Sequence, residues 1–464
     1  MKPRLILLPL LATTCLSACS LAPAYHQSIT GFVAPQWPAG AAYPEASAQT
    51  TGLTWQDLVT DDNLRQVIRQ ALAHNQDMAA AVANVASARA QYGEQRASQF
   101  PALAASSEGT QVSPAGQTNG RTTTKDYTAS IGLSAFTLDL FGRQKNLSKA
   151  AFEQYLSTQS GEKETRLTLI AETATAYVTL AADSQLLATA RAEVASAERT
   201  LTLTKDLHDR GLYSGADVAD AETTLAQARA DVESYTTEVA QSRNALELLT
   251  GGPVADDLLP ATLTDLDAAV HLPPAGLSSD VLLQRPDVVE AEHALKATYA
   301  DIGAARAAFF PTISLTSTLG TASTALSKLF SAGNGTWTND LTASMPLVGG
   351  STGAALDYAK AQRDYYLAAY RKTAQSAYKD VADALARQGT IGRQRTAEDE
   401  AVSAAGRSYT IAEARYKAGA DSGLQALIAQ RTLYAARQSA VSLALTDIGN
   451  RIALYEALGA DGSL

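Results

Sequence analysis

The one side chain whose neighbours prepare it for covalent chemistry is Cys19. It closes the run Leu16-Ser17-Ala18-Cys19, which matches the bacterial lipobox, so cleavage before the cysteine would leave a new N-terminus ready for acylation. Lys2 and Arg4, followed by the apolar run Leu5 to Leu11, give the charged-then-apolar layout of a secretory signal. That run is shorter than the ~20 residues a spanning helix needs. Residues 1–18 are therefore expected to leave as a signal peptide, and Ser20 in place of an aspartate fits the outer-membrane delivery pattern. An ordinary signal peptide cut after Ala18 is the plainer reading of the same residues. Cys15 would leave with the signal, so the mature chain has no disulfide and, with lipid on Cys19, no free thiol.

Other chemistry finds little support. His26, His74, His208, His271 and His293 are scattered without metal-ligand spacing. There is no Walker loop, no HExxH and no nucleophile elbow. Gly333-Asn334-Gly335 is a glycine cluster at an expected hairpin tip, too short for a phosphate loop, and Glu398-Asp399-Glu400 reads as a solvated helix face. With Met1, Met78 and Met345 as the only methionines, a soft-metal relay is not visible, which argues against copper or silver as cargo. Net charge is −10 with no basic stripe, which excludes a nucleic-acid partner. The sequence thus reads as no enzyme, with no cofactor beyond the covalent lipid on Cys19.

The elements that carry these residues follow from pattern. Hydrophobic residues make up 46% of the 464 but aromatics only 6%, and the excess is alanine, which favours long helices. Pro23, Pro35, Pro38 and Pro44 mark residues 20–54 as an extended arm. A helical pattern runs from Asp61 to about Ser98. An internal repeat is the most informative feature. Asp77, Gly93, Arg96, Phe100 and Pro101 recur 210 residues later as Asp287, Gly303, Arg306, Phe310 and Pro311, and Gly211 and Ser214 recur as Gly419 and Ser422. The expected organisation is a lipidated arm over 19–60, a first repeat over 61–255, a second over 256–457 and a tail over 458–464. Each repeat reads as helix, hairpin (about 102–138 and 312–347), long helix and return helix.

After each Phe-Pro come segments alternating between apolar and Ser/Thr residues. Tyr127, Ala129, Ile131, Leu133 and Ala135 form one apolar row, Ile313, Leu315 and Leu319 another, and Trp337, Leu341, Ala343 and Met345 a third; 102–112 is the weakest. Such alternation fits transmembrane strands. Taken singly, each segment fits a half-buried soluble sheet as well; the lipobox and the flanking helices favour the membrane. Leu167, Ile170, Ala174, Tyr177 and Ala181, and later Leu367, Tyr370, Ala374, Ala377, Val381 and Ala384, then step at heptad spacing. About 65 helical residues rise roughly 100 Å, longer than a compact domain needs. Each rod ends in a glycine turn, followed by return helices over roughly 216–249 and 423–457. Four strands cannot close a membrane barrel, and an open edge in lipid is not tolerated, so copies must share one barrel.

The sequence resembles the TolC-like outer-membrane efflux family in its lipoprotein branch (NodT/OprM-like). The likeness rests on Cys19-Ser20-Leu21-Ala22-Pro23-Ala24-Tyr25, on Trp55 with Asp61 and Leu64, on Leu138-Asp139-Leu140-Phe141-Gly142-Arg143, on Arg285-Pro286-Asp287-Val288, and most of all on residues Ile302 through Pro311. It covers nearly the whole mature chain. It implies a mainly α fold with a membrane β portion: antiparallel helical hairpins forming a periplasmic α-barrel, and four strands per chain contributing to a 12-stranded trimeric outer-membrane β-barrel. The implied function is the passive exit duct of a tripartite (RND-type) efflux system, exporting drugs or other small toxic compounds. Implied partners are two further copies, a periplasmic adaptor, an inner-membrane RND transporter and outer-membrane lipid.

The resemblance also carries roles. It implies adaptor contact at the tips, here Arg210-Gly211-Leu212 and Ala418-Gly419-Ala420. The family often narrows its closed pore with carboxylates on the helix after the second tip. The matching positions here are Gln425 and Ile428, so that ring is missing; Asp421, one turn earlier, would replace it, and Leu424 matches an apolar constriction. A solvated tip carboxylate is the plain alternative for Asp421, and a helical turn without a partner the plain alternative for the tips. A duct for type I protein secretion would share the fold. A lipid-anchored coiled-coil scaffold would have the helices but no membrane strands.

Overall fold

A computed structural model describes residues 20–26, 31–44, 54–113, 123–260, 262–272, 278–459 and 461. The signal peptide expected over 1–18, Cys19 and part of the 458–464 tail lie outside them. In chain order the elements are α1 (Trp55–Leu58), α2 (Asp62–His74), α3 (Gln76–Ala97), β1 (Leu103–Val112), β2 (Thr124–Leu138), α4 (Arg143–Asp209), α5 (Gly215–Leu249), α6 (Leu263–Ala269), α7 (Pro286–Ala307), β3 (Thr312–Ser323), β4 (Gly335–Ser344), α8 (Ser351–Lys417) and α9 (Gly423–Leu458). The repeat is written into these bounds. α3 and α7 are both 22 residues long, and α4 and α8 both 67. The scaffold alternative expects no strands of the kind the chain forms in β1 to β4.

The helical pattern read as one run from Asp61 to about Ser98 is two helices. Asn75 breaks it, with extended dihedrals (φ −64°, ψ 135°) between α2 and α3. Its Oδ1 accepts from the Met78 N–H at 3.0 Å, capping α3, while its Nδ2 donates to the Leu249 carbonyl at 3.0 Å. A side chain that satisfies one of the orphan donors at a helix start can end one helix and begin the next without proline.

Contacts divide the chain into two units. The first holds residues 20–26, 84–159 and 290–370; the second holds 31–83, 160–289 and 371–459 with 461. In the first, Ala150 packs on Ala297 and Ala300, so α4 and α7 meet there through methyl groups, with His293 paired to Glu153 at 2.7 Å farther along. In the second, Trp55 and Leu58 of α1, Leu64 and Ile68 of α2, Leu263 and Leu266 of α6, and Ile448 and Ile452 of α9 pack on Leu167, Ile170, Ala174, Tyr177 and Ala181. The heptad residues of α4 are thus the seam. In α8, Tyr370, Ala374, Ala377, Val381 and Ala384 are likewise buried. Burying a large apolar side chain is worth about 1.5–3 kcal/mol. Asp267 of α6 ties the second unit together, accepting from Arg395 of α8 and Arg451 of α9, each at 2.8 Å; Asp447 accepts from the same two arginines. Burial alone would raise the Asp267 carboxyl, but the two guanidinium groups prevail and hold it below the usual carboxylate range.

Candidate functional site

Two places are candidates for function: the sheet of the first unit and the helical tips of the second. The sheet is an antiparallel meander in the order β1-β2-β3-β4. Partners in register share a face, and faces alternate along each strand. Ala105, Ile131, Leu319 and Trp337 therefore form one row across all four strands, and Ser106, Ser130, Gly320 and Thr336 form the row beneath it on the other face. The apolar face continues through Leu103 and Leu133, whose row runs on into Ser317 and Asn339, through Phe136, Leu315 and Leu341, and through Leu138, Ile313 and Ala343. Leu103, Trp337 and Leu341 are 75%, 75% and 67% exposed, so among the described residues nothing covers this face at those positions. The opposite face is mostly Ser, Thr and Gly, with Glu108, Asp126 and Asp340 and with Ala104, Val112 and Ala322. One apolar and one hydroxyl face is the two-solvent pattern of a membrane barrel wall. Phe141 and Phe310, stacked at 4.6 Å, lie at the foot of β2 and β3.

The alternation expected through Ala135 holds only to Leu133. Leu133 pairs with Ser317 and Phe136 with Leu315, so β2 carries one extra residue, a β-bulge. Ala135 takes a left-handed φ of 51°, and its N–H donates to Thr316 Oγ1 at 3.1 Å. The extra residue returns Phe136 and Leu138 to the apolar face, where unbroken alternation would have put Ala135 and Thr137. Met345, read as the end of the third row, lies just past β4.

The tips share one backbone design. At the first, Leu212 N–H donates to Leu207 O and Gly211 N–H to His208 O; at the second, Ala420 N–H donates to Arg415 O and Gly419 N–H to Tyr416 O. Both glycines are left-handed, at φ 74° and 69°, which closes the helix end through a Schellman motif that a side chain would strain. Arg210, Gly211, Leu212, Ala418, Gly419 and Ala420 are all exposed. Ser214 then caps α5 in a box: its Oγ accepts from Asp217 N–H at 3.3 Å, and Asp217 accepts from Ser214 N–H at 2.8 Å. Ser422 has the same extended dihedrals but makes no side-chain cap to α9.

Leu424, Gln425 and Ile428 share one face at the start of α9, while Asp421 precedes the N-cap, Ser422, and lies outside the helix. Leu424, Gln425 and Ile428 are exposed, while Gly423, Ala426, Leu427 and Gln430 between them are buried. Asp421 is not a lone carboxylate. Arg415 donates to it from Nη2 at 3.1 Å and also from Nε, and this pairing holds the Asp421 carboxyl below its ordinary range. Sequence reading missed Arg415 and the tyrosines beside it. Tyr213 donates from its hydroxyl to the Asp421 carbonyl at 3.0 Å and meets Tyr416 edge-on at 5.5 Å, and the buried Tyr416 hydroxyl shares a 2.7 Å bond with Thr204. Among the described residues no group of side chains could hold a metal, and no helix is long and apolar enough to cross a membrane.

An uncovered apolar sheet and paired rods with capped tips describe the wall of a duct. A family model described as "Outer membrane efflux protein" matches residues 67–252 and 277–460, one match per repeat. The "Probable efflux pump outer membrane protein TtgC" of Pseudomonas putida is 41% identical over 451 residues, 96% of this chain and 93% of that one. "Outer membrane protein OprJ" of Pseudomonas aeruginosa is 36% identical over 93% of this chain and 91% of its own length. Among solved structures, CusC superposes with a TM-score of 0.86 at 33% identity, over 95% of this chain and all of that one. The open state of the MtrE outer membrane channel of Neisseria gonorrhoeae gives 0.85 at 34% identity, over 95% and 98%. The chain belongs to the outer membrane efflux protein family. It is an efflux exit duct, a channel class rather than an enzyme class.

Proposed function

We propose that three copies join edge to edge, the outer edge of β1 in one meeting that of β4 in the next, to close a 12-stranded barrel through which drugs or other small toxic compounds leave the periplasm. The observation that carries this is the sheet, with four strands, two open edges and one uncovered apolar face. In lipid an unpaired edge leaves backbone groups without partners, at several kcal/mol each. Closure by copies satisfies them and turns the hydroxyl face onto a wet lumen. The paired helices continue the duct, a periplasmic adaptor engages the two tips, and an inner-membrane RND transporter feeds it. A lipid on Cys19 anchors the arm, and no other cofactor is needed. Relatives named for antibiotics, toluene and other solvents support small-molecule cargo.

The closed end is formed by the α9 face of Leu424, Gln425 and Ile428. With Asp421 compensated by Arg415, that face carries no net charge and is led by Leu424 and Ile428, and an apolar constriction resists wetting. Single-channel conductance in a planar bilayer tests both statements. Wild type is expected to give a small, steady conductance, Leu424→Ser one several-fold larger, and Asp421→Ala a smaller rise. Absence of current from well-folded protein would sink the duct, and equal currents from Leu424→Ser and wild type would move the gate elsewhere.

A further inference from the structure

The residues that carry the family likeness most strongly include Gly303 and Arg306, and the first unit gives them a task the duct does not explain. Arg306 Nη1 donates to the Leu21 carbonyl at 2.9 Å. A Cβ on Gly303 would come within 2.9 Å of Ala22 and 2.7 Å of Asn146 Nδ2. Asn146, only 2% exposed, accepts from Ser20 Oγ at 3.1 Å. Four residues on, the Tyr25 hydroxyl donates to Glu292 at 3.0 Å, with its ring edge-on to Tyr299 at 5.5 Å and under Lys296 Nζ at 5.3 Å. Every one of these contacts reads the stretch just after Cys19.

The repeat supplies an internal control. Gly93 and Arg96 are the first-half counterparts of Gly303 and Arg306. A Cβ on Gly93 would meet nothing within 4 Å, and Arg96 is exposed. The glycine and arginine recur, but only the second pair holds a segment of chain, so the close fit at Gly303 is not a requirement of the helix itself.

We propose that the last turns of α7, with Asn146 of α4, form a seat for the mature N-terminus, so that acyl chains on Cys19 enter the bilayer at the foot of β2 and β3. Arg306 lies in the last turn of α7, shortly before β3, on the side where Phe310 stacks on Phe141. A residue two positions ahead of Leu21 lies within about 7 Å of it by chain length alone. The seat therefore fixes where the lipid goes down and sets the height of the apolar sheet face against the leaflet. The entry point rests on the lipid-anchor reading; the seat itself does not.

Hydrogen exchange read by mass spectrometry on the full-length protein from outer membranes tests the seat, and the intact mass of its N-terminal peptide tests the lipid separately. The Ala22 amide, which donates to Ser20 Oγ at 3.3 Å beside Gly303, should exchange at least about tenfold slower than in a free peptide. Gly303→Val should abolish that protection, Gly93→Val should leave it intact, and Arg306→Gln, which introduces no clash, should weaken it. Free-peptide rates in wild type, or equal behaviour of Gly303→Val and Gly93→Val, would overturn the seat. A photoactivatable palmitate fed to the cells should crosslink to peptides around 139–146 and 306–313 in wild type and scatter in Arg306→Gln. Scattered products in wild type would overturn the entry point, and an N-terminal peptide without lipid mass would overturn the anchor while leaving the exchange result to stand.

Discussion

The two helical tips are copies of one design that have come to be held in different ways. Both close on a Schellman glycine, and both follow it with a serine at the N-cap of the return helix. The first is self-contained: Ser214 and Asp217 satisfy each other's backbone donors, and Asp217 sits favourably at the positive end of α5. At the second, Gln425 stands where Asp217 stands in the first, Ser422 makes no cap, and α9 has no acidic residue in its first turn. What holds it comes from outside the helix: Arg415 on the Asp421 carboxylate, Tyr213 on its carbonyl, and Tyr416 against Gly423, where an added Cβ would lie 3.3 Å from the ring. A turn held by its own cap is a fixed end. A turn held by neighbouring side chains can be released by moving them, which is what the gated end of a duct requires.

Three measurements would sharpen or break this contrast. The largest effect belongs to Tyr416, which is 2% exposed. Tyr416→Ala should cost the second tip about 3 kcal/mol, the lower end for loss of a buried aromatic, seen as faster hydrogen exchange over 411–427 with little change around 208–220. Unchanged exchange at the second tip would mean the tyrosines are passengers. Next comes the cap: Ser214→Ala should cost about 1 kcal/mol, and Ser422→Ala almost nothing, by the same exchange measurement. Equal losses would show that Ser422 caps in solution and that the tips are alike.

The smallest effect is ionic. The Arg415–Asp421 pair is exposed, so 1 M salt, with a Debye length near 3 Å, should loosen the second tip and leave the first as it was. Because Arg415 depresses the Asp421 carboxyl, the contribution of the pair is present above the ordinary carboxylate pKa of about 4 and lost as pH falls through the lower folded value. Asp217 is lowered too, by its bond to Ser214, so acid should loosen both tips where salt loosens one. A salt response at the first tip would contradict this assignment.

Much of this was legible in the sequence, for physical reasons that also set the limits. Rods of 67 residues announce themselves because heptad steps such as Leu167, Ile170 and Ala174 persist far beyond chance. The strands showed because one face must be apolar and the other wet. The break at Asn75 was hidden because an amide side chain inside an alanine-rich run looks like any polar helix residue; only its bonds to Met78 and Leu249 reveal it. Asp421 was found as a carboxylate beside the second tip, without the arginine that pairs with it. Its partner lies six residues back and reaches it only because the Schellman turn folds the chain on itself. Gly303 and Arg306 stood out as pattern while the reason did not, since Leu21 is 285 positions from Arg306.

The bulge at Ala135 gives β2 something like a reading frame. Above it the apolar residues fall on odd numbers, Tyr127 to Leu133, and below it on even ones, Phe136 and Leu138. Deleting one residue at the bulge would restore a regular ladder and leave Phe136 and Leu138 on the apolar side, because the bulge holds the one residue by which β2 exceeds β3 there. A survey of tolerated insertions and deletions should therefore find Ser134 and Ala135 the permissive point of β2: a residue lost there costs only the bulge, while one inserted or lost within Tyr127–Ile131 turns the residues on its far side from the bulge to the other face.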